Sequence, residues 1–139
     1  MKYWLGVVSK EHVMRGVEEG FAQVCDGKAA PLARMSKGDG LVFYSPVYNF
    51  GGKDKLQAFT AIGVVKDDKV YQYQMIENFI PYRRNINFLE SKEVPIIELK
   101  NELSITQGNY GMLFRPGHLQ VPEIDFQKIA NAMGVSFQF

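Results

Sequence analysis

The stretch Gly27-Lys28-Ala29-Ala30-Pro31-Leu32-Ala33-Arg34-Met35-Ser36-Lys37-Gly38-Asp39-Gly40 runs directly into Leu41-Val42-Phe43-Tyr44-Ser45-Pro46. A glycine and a lysine open a short basic turn, two more glycines bracket an aspartate, and an apolar run ends at Ser-Pro. Glycine lets the backbone approach a ligand closely or take positive φ. A lysine beside such a turn suits an anion, as do exposed backbone N–H groups. Read only locally, the same residues form a tight connection into a buried strand. Pro31 opens a short helix through Met35, and the apolar strand follows, so this one stretch already mixes α and β structure.

Working outward, residues 2–8 read as a strand. Tyr3, Leu5 and Val7 face one way, and Trp4, Gly6 and Val8 the other. Both faces are apolar, which predicts cover on both sides. Ser9 is the N-cap candidate for a helix over 10–19, with Val13, Met14 and Val17 as its buried stripe. Gly16 weakens that helix and Gly20 stops it. Residues 21–26 fit either state. Further on, 49–55 read as a loop, and 58–66 with 70–76 as a hairpin turning at Asp67-Asp68. Residues 82–89 form a strand with Arg83 and Asn85 on one face and Arg84 and Ile86 on the other. A candidate strand at 110–114 sits in a glycine-containing loop. Phe126, Ile129, Ala130 and Met133 recur at helical spacing, with Pro122, Glu123 and Asp125 at the start and Gly134 at the end. No repeat or linker divides the chain, so residues 1–139 read as one domain. Five to six strands with flanking helices predict an α+β fold with a curved or barrel-like sheet.

The composition is 46% apolar and 13% aromatic, which is globular and supplies rings for a core or for stacking. A net charge of +1 argues against sequence-independent wrapping of nucleic acid. Local basic patches remain at Lys28, Arg34 and Lys37, and at Arg83-Arg84, where ordinary surface charge is the plainer reading. Cys25 is the single cysteine, so no internal disulfide forms, which fits a reducing compartment. No leader-like or membrane-spanning apolar stretch is present, and the expectation is a soluble cytoplasmic protein without a membrane partner. Two histidines, His12 and His118, with one cysteine give no metal-ligand spacing. A Cys25–His12 dyad is the one nucleophilic pairing available, although a lone cysteine is more often a small buried apolar group. Carboxylates are scattered, and no phosphate-binding fingerprint occurs. No catalytic residue, metal or cofactor is assigned, and the balance favours a binding module.

In combination, the motifs resemble the EVE domain, a PUA-like branch related to YTH and ASCH domains. Tyr3-Trp4-Leu5 leads to Ser9 and His12, then Gly27-Lys28, Pro31-Leu32, Arg34-Met35 and Gly38-Asp39. Phe43-Tyr44-Ser45-Pro46, Ala61-Ile62-Gly63-Val64, Pro81-Tyr82-Arg83, 111–115 with Gly117, and Asp125-Phe126 with Ile129 follow in order. The resemblance implies a PUA-like mixed β pseudo-barrel of five to six strands with flanking helices. It also implies a pocket that holds a nucleobase, in related proteins a modified one, and hence DNA or RNA as partner.

The pocket is expected between the end of the first strand and the Gly27 loop. The resemblance places Cys25, Asp26, Gly27 and Lys28 in its lining loop, and Tyr44, Ser45 and Pro46 beside it. Trp4 is either a stacking platform or a core residue. Ser9 either caps its helix or offers its hydroxyl to the ligand. Asp26 either accepts from a base amino group or shapes the turn. Lys28, Arg34, Lys37, Arg83 and Arg84 are the candidates for backbone phosphate. Nuclear family members carry an aromatic residue before Asp-Gly, where this chain has Cys25, and larger polar residues in place of Ala29 and Ala30. Stacking is therefore expected from elsewhere, with Phe21, Tyr48 and Phe50 as candidates, and a methylcytosine preference does not carry over. The alternatives are an enzyme acting on a small nucleotide-like ligand or modified nucleoside through Cys25, and a protein-interaction adaptor using Asn49-Phe50-Gly51-Gly52.

Overall fold

A computed structural model describes residues 1–137. Along them run β1 (Tyr3–Val7), α1 (Lys10–Glu19), β2 (Phe21–Ala22), α2 (Ala29–Ala33), β3 (Gly40–Val47) and β4 (Lys55–Gln72). Then come β5 (Tyr82–Phe88), β6 (Val94–Pro95), α3 (Tyr110–Leu113), β7 (His118–Val121) and α4 (Glu123–Ala132). The strands form one sheet in the order β2-β5-β4-β3-β1-β7, with β6 paired to β4 off this path. The α+β class and the flanking helices are as expected. Among the described residues the sheet has seven strands and stays open, because β2 and β7 end it without pairing to each other.

β1 runs parallel to β3, with Leu5 opposite Val42, and antiparallel to β7, with Leu5 opposite Leu119. Parallel neighbours need a long crossover. Here α1, β2 and α2 make it, and the turn between β2 and α2 comes back beside the end of β1. Both faces of β1 are covered, as its apolar alternation requires. Tyr3 and Leu5 join Val42, Ile62, Phe126 and Ile129 on one side. Trp4 joins Val13, Leu32, Leu41, Phe43 and Ile86 on the other.

Several local expectations are corrected. Residues 58–66 and 70–76 do not form a hairpin. β4 is one strand that bulges between Val65 and Val70, and both halves pair with β5. The cause lies in the neighbouring strand. Arg84 donates to the Asp67 carbonyl at 3.2 and 2.6 Å, and Asn85 Nδ2 to Asp67 Oδ2 at 3.1 Å, pinning Asp67-Asp68 as a bulge. Pro46 does not end β3. It sits where the register shifts between Ser45 and Val47, a place where proline's missing N–H is tolerated. Residues 110–114 hold a helical turn, α3, capped by Asn109 Oδ1, which accepts from Met112 N at 3.2 Å. In α1 the buried pair is Val13 and Gly16, while Val17 is exposed. A Cβ on residue 16 would lie 2.4 Å from the Phe21 carbonyl oxygen, so the glycine permits the close packing of α1 on β2.

Candidate functional site

A cavity of about 490 Å³ opens where β1 hands over to α1. Val7, Val8 and Ser9 form one side. His12 and Arg15, three residues apart, point from the same face of α1. Phe21, Gln23 and Val24 close the β2 side, followed by the turn Cys25, Asp26, Gly27 and Lys28. Phe50, Met75 and Phe79 reach in from two loops, and Arg115, Pro116 and Gly117 from the approach to β7.

The turn is unusual in its backbone. Cys25, Asp26 and Gly27 have φ of 50°, 57° and 80° in succession. Left-handed conformations cost roughly 1–2 kcal/mol for each non-glycine residue. Fixed contacts offset that cost. Gly27 N donates to Val24 O at 2.9 Å, and Cys25 Sγ donates to Pro116 O at 3.2 Å. Any side chain at residue 27 would strike Pro81, whose Cβ lies 2.4 Å from the position a Cβ would take. The left-handed run turns the chain sharply and leaves Asp26 and Lys28 exposed at the cavity.

Three cations (Arg15, Lys28 and Arg115) and one carboxylate (Asp26) lie around the space. The His12 ring stacks on Phe50, with centroids 5.5 Å apart and planes at 18°. Phe50 is 68% exposed, so a large apolar ring stands at the opening with a face free for a further planar group. Ser9 Oγ is buried and has no hydrogen-bond partner among the described residues. Although Ser9 occupies the N-cap position, its side chain makes no cap bond. Burial raises the Cys25 pKa, with Lys28 acting against it, so the group stays a thiol at neutral pH. Among the described residues no three His, Cys, Asp or Glu side chains gather where they could hold a metal ion.

The family model described as the EVE domain matches residues 2–132. The chain belongs to the EVE domain family. The UPF0310 protein YdcG of Bacillus subtilis (strain 168) is 46% identical to it over 136 residues, covering 96% of this chain and 93% of the relative. A UPF0310 protein of Streptococcus sanguinis (strain SK36) is 47% identical over 133 residues, covering 95% and 93%. In fold, the chain is similar to the crystal structure of Atu2648 from Agrobacterium tumefaciens, with a TM-score of 0.64 at 15% identity over 99% of this chain and 97% of that one. The NMR structure of Rpa0253 from Rhodopseudomonas palustris gives 0.61 at 16% identity, again over 99% and 97%. EVE membership also supports the PUA-like architecture that the resemblance implied.

Within this EVE domain, the structure brings Ser9 together with Cys25, Asp26, Gly27 and Lys28, and adds Phe21 and Phe50 from the stacking candidates. Other expected residues lie elsewhere. Trp4 is a core residue, its Nε1 donating to Asp39 Oδ2 at 3.0 Å and its ring stacked on His118 at 5.0 Å. Tyr44 and Pro46 line a separate hollow of about 410 Å³ that shares Val7 and Arg115 with the main cavity. Ser45 is fully buried, its hydroxyl 2.7 Å from Thr60 Oγ1. Arg34 and Lys37 are exposed but outside the cavity lining. Arg84 is 2% exposed, and Nη1 donates to Leu32 O and Met35 O at 2.7 Å each. With its other donors on Asp67 O, it fastens α2 to the β4 bulge and has no reach to phosphate. Arg83 is also buried, clasped between Phe21 and Tyr73. Sequence reading missed Arg15, Gln23, Met75, Phe79 and Arg115. The His12–Arg15 spacing on a polar helix face was the available signal for Arg15. Gln23 lies two residues before Cys25 in the chain, whereas Met75, Phe79 and Arg115 are joined to the turn only by tertiary contacts.

Proposed function

We propose that the protein is a nucleic-acid binding module that holds one unpaired or flipped nucleobase in the cavity beside the Cys25–Gly27 turn, with cations gripping the adjoining phosphates. The observation that carries this reading is a single open space of about 490 Å³ walled by three cations, one carboxylate and exposed aromatic surface. That volume is in the ordinary range for small-molecule sites, about 300–1,000 Å³. Freeing a base from its stack costs a few kcal/mol. Stacking on an aromatic ring returns about 1–3 kcal/mol per base, and Phe50 offers the ring. Arg15, Lys28 and Arg115 supply the anion contacts. The Cys25 thiol, with its pKa raised, favours holding a ligand over covalent chemistry.

The test is fluorescence anisotropy with short single-stranded oligonucleotides carrying plain and modified bases, each titrated at several salt concentrations. Binding is expected to weaken with salt and to depend on one base. Lys28→Ala is expected to weaken all sequences alike and to reduce the magnitude of the salt slope by about 0.7, one single-strand phosphate contact. Its melting temperature should not move, because Lys28 is exposed. Binding indifferent to Lys28, or no binding to any oligonucleotide, would overturn the proposal.

A further inference from the structure

Gln23 lies between β2 and the strained turn, partly exposed to the cavity, with its amide set between Arg83 and Met75. Arg83 Nε donates to Gln23 Oε1 at 3.2 Å. A guanidinium carries five N–H donors and no acceptor. The amide must therefore turn its oxygen toward Arg83, since a flipped amide would set donor against donor. Arg83 is itself immobilised. Its guanidinium carbon lies 3.7 Å from the Phe21 ring centroid and 4.1 Å from that of Tyr73. A cation held between two aromatic faces and 4% exposed has little freedom to swing away. The Gln23 NH2 group is thereby directed to the opposite side, where its nearest partner is Met75 Sδ at 3.7 Å. A thioether is a weak acceptor, and Met75 also lines the cavity.

We propose that Gln23 determines base specificity: its NH2 group, fixed as a donor by the clasped Arg83, hydrogen-bonds a carbonyl oxygen or unprotonated ring nitrogen of the bound base. This rests on the base-holding function proposed above and gives it a direction. A base that presents an acceptor to Gln23 exchanges the weak Met75 contact for a full hydrogen bond. A base that presents an amino group or a protonated ring nitrogen there buries two opposed donors, each without a partner. Arg83 acts as a positioning residue, because it touches Gln23 and not the ligand.

The experiment compares each oligonucleotide of the panel with its abasic counterpart, which isolates the part of the affinity due to the base. In Gln23→Met, of similar size but without a donor, that base-dependent part should fall about tenfold, the scale of one hydrogen bond to a buried partner. Affinity for the abasic strand and the salt slope should stay as in the wild type. Gln23→Glu should lose the same preference, because its carboxylate can only accept. Arg83→Met frees the amide to flip and should broaden the choice of base, while Arg83→Lys, which still only donates, should preserve it. Thermal melts of all four variants establish that each is folded. If the wild type distinguishes bases and Gln23→Met does so equally well, the Gln23 inference is wrong and the base-holding function survives. If the wild type binds no strand, both fall.

Discussion

His118 shows how one side chain can tie stability to pH. Its imidazole lies flat against Trp4, is 3% exposed, and has neither ring nitrogen hydrogen-bonded among the described residues. Burial, with the nearby Arg34 charge adding to it, lowers its pKa to about 4. In the unfolded chain the same ring takes up a proton near pH 6.5. Between those values only the unfolded state gains the proton. His118 therefore leaves stability intact above pH about 6.5 and removes it progressively as pH falls toward 4, by about 3 kcal/mol in all. His118→Phe keeps the stack on Trp4 and eliminates the titration. Urea unfolding at pH 7 and pH 4 should show a smaller acid loss in the variant than in the wild type. Equal losses would mean that the ring is solvated in the folded protein. Asp39 acts in the same sense. Burial raises its pKa, but donors from Ser36 N, Lys2 N and Trp4 Nε1 outweigh that and leave it below the usual carboxylate value. Its contribution is present at neutral pH and disappears as pH drops through the lowered value.

Among the elements, α1 depends on a residue that helix propensity alone would replace. Alanine is favoured over glycine inside a helix by about 1 kcal/mol. At position 16 the added methyl would lie 2.4 Å from the backbone oxygen of Phe21, which cannot rotate aside. Forcing atoms into a packed interior costs typically 1–3 kcal/mol, so sterics win and Gly16→Ala should lower the melting temperature. The change would also displace Phe21, which both lines the cavity and clasps Arg83. Base preference should therefore blur along with stability. A variant as stable as the wild type would show that α1 and β2 can separate at no cost. The same contact marks where sequence reading ends. β1, β3, α1 and α4 were legible because each carries its own periodicity or cap. β7 has four residues and takes its identity from pairing with β1. The continuity of β4 through Asp67-Asp68 depends on Arg84, 17 residues away, whose buried role a pair of adjacent arginines does not disclose. In the Cys25–Lys28 turn, Gly27 and Lys28 were legible from their local chemistry, and the resemblance to the EVE domain supplied Cys25 and Asp26. Met75, Phe79 and Arg115 were not legible, because only the folded chain brings them to that turn.

At the scale of the whole molecule, a net charge of +1 argues against a positive field over the whole surface. Any affinity for nucleic acid must come from a few cations placed together. Of the five expected at the sequence level, Arg84 and Arg83 are buried, and Arg34 and Lys37 lie outside the cavity lining. Lys28 remains, joined by Arg15 and Arg115 from elements distant in sequence. Three phosphate contacts on a single strand give a plot of log K against log salt with a slope of about −2, taking roughly 0.7 counterions released per contact. Removing Lys28 should bring the slope to about −1.4, and removing Arg15 or Arg115 should do the same. The measurement is sensitive in both directions. A much steeper wild-type slope would require a basic surface wider than the three cations at the cavity. A slope near zero would take phosphate out of the interaction and leave a free planar molecule as the ligand. An intermediate slope reduced equally by each of the three substitutions would place the polymer backbone around the cavity mouth, with the base directed past Phe50 toward Gln23.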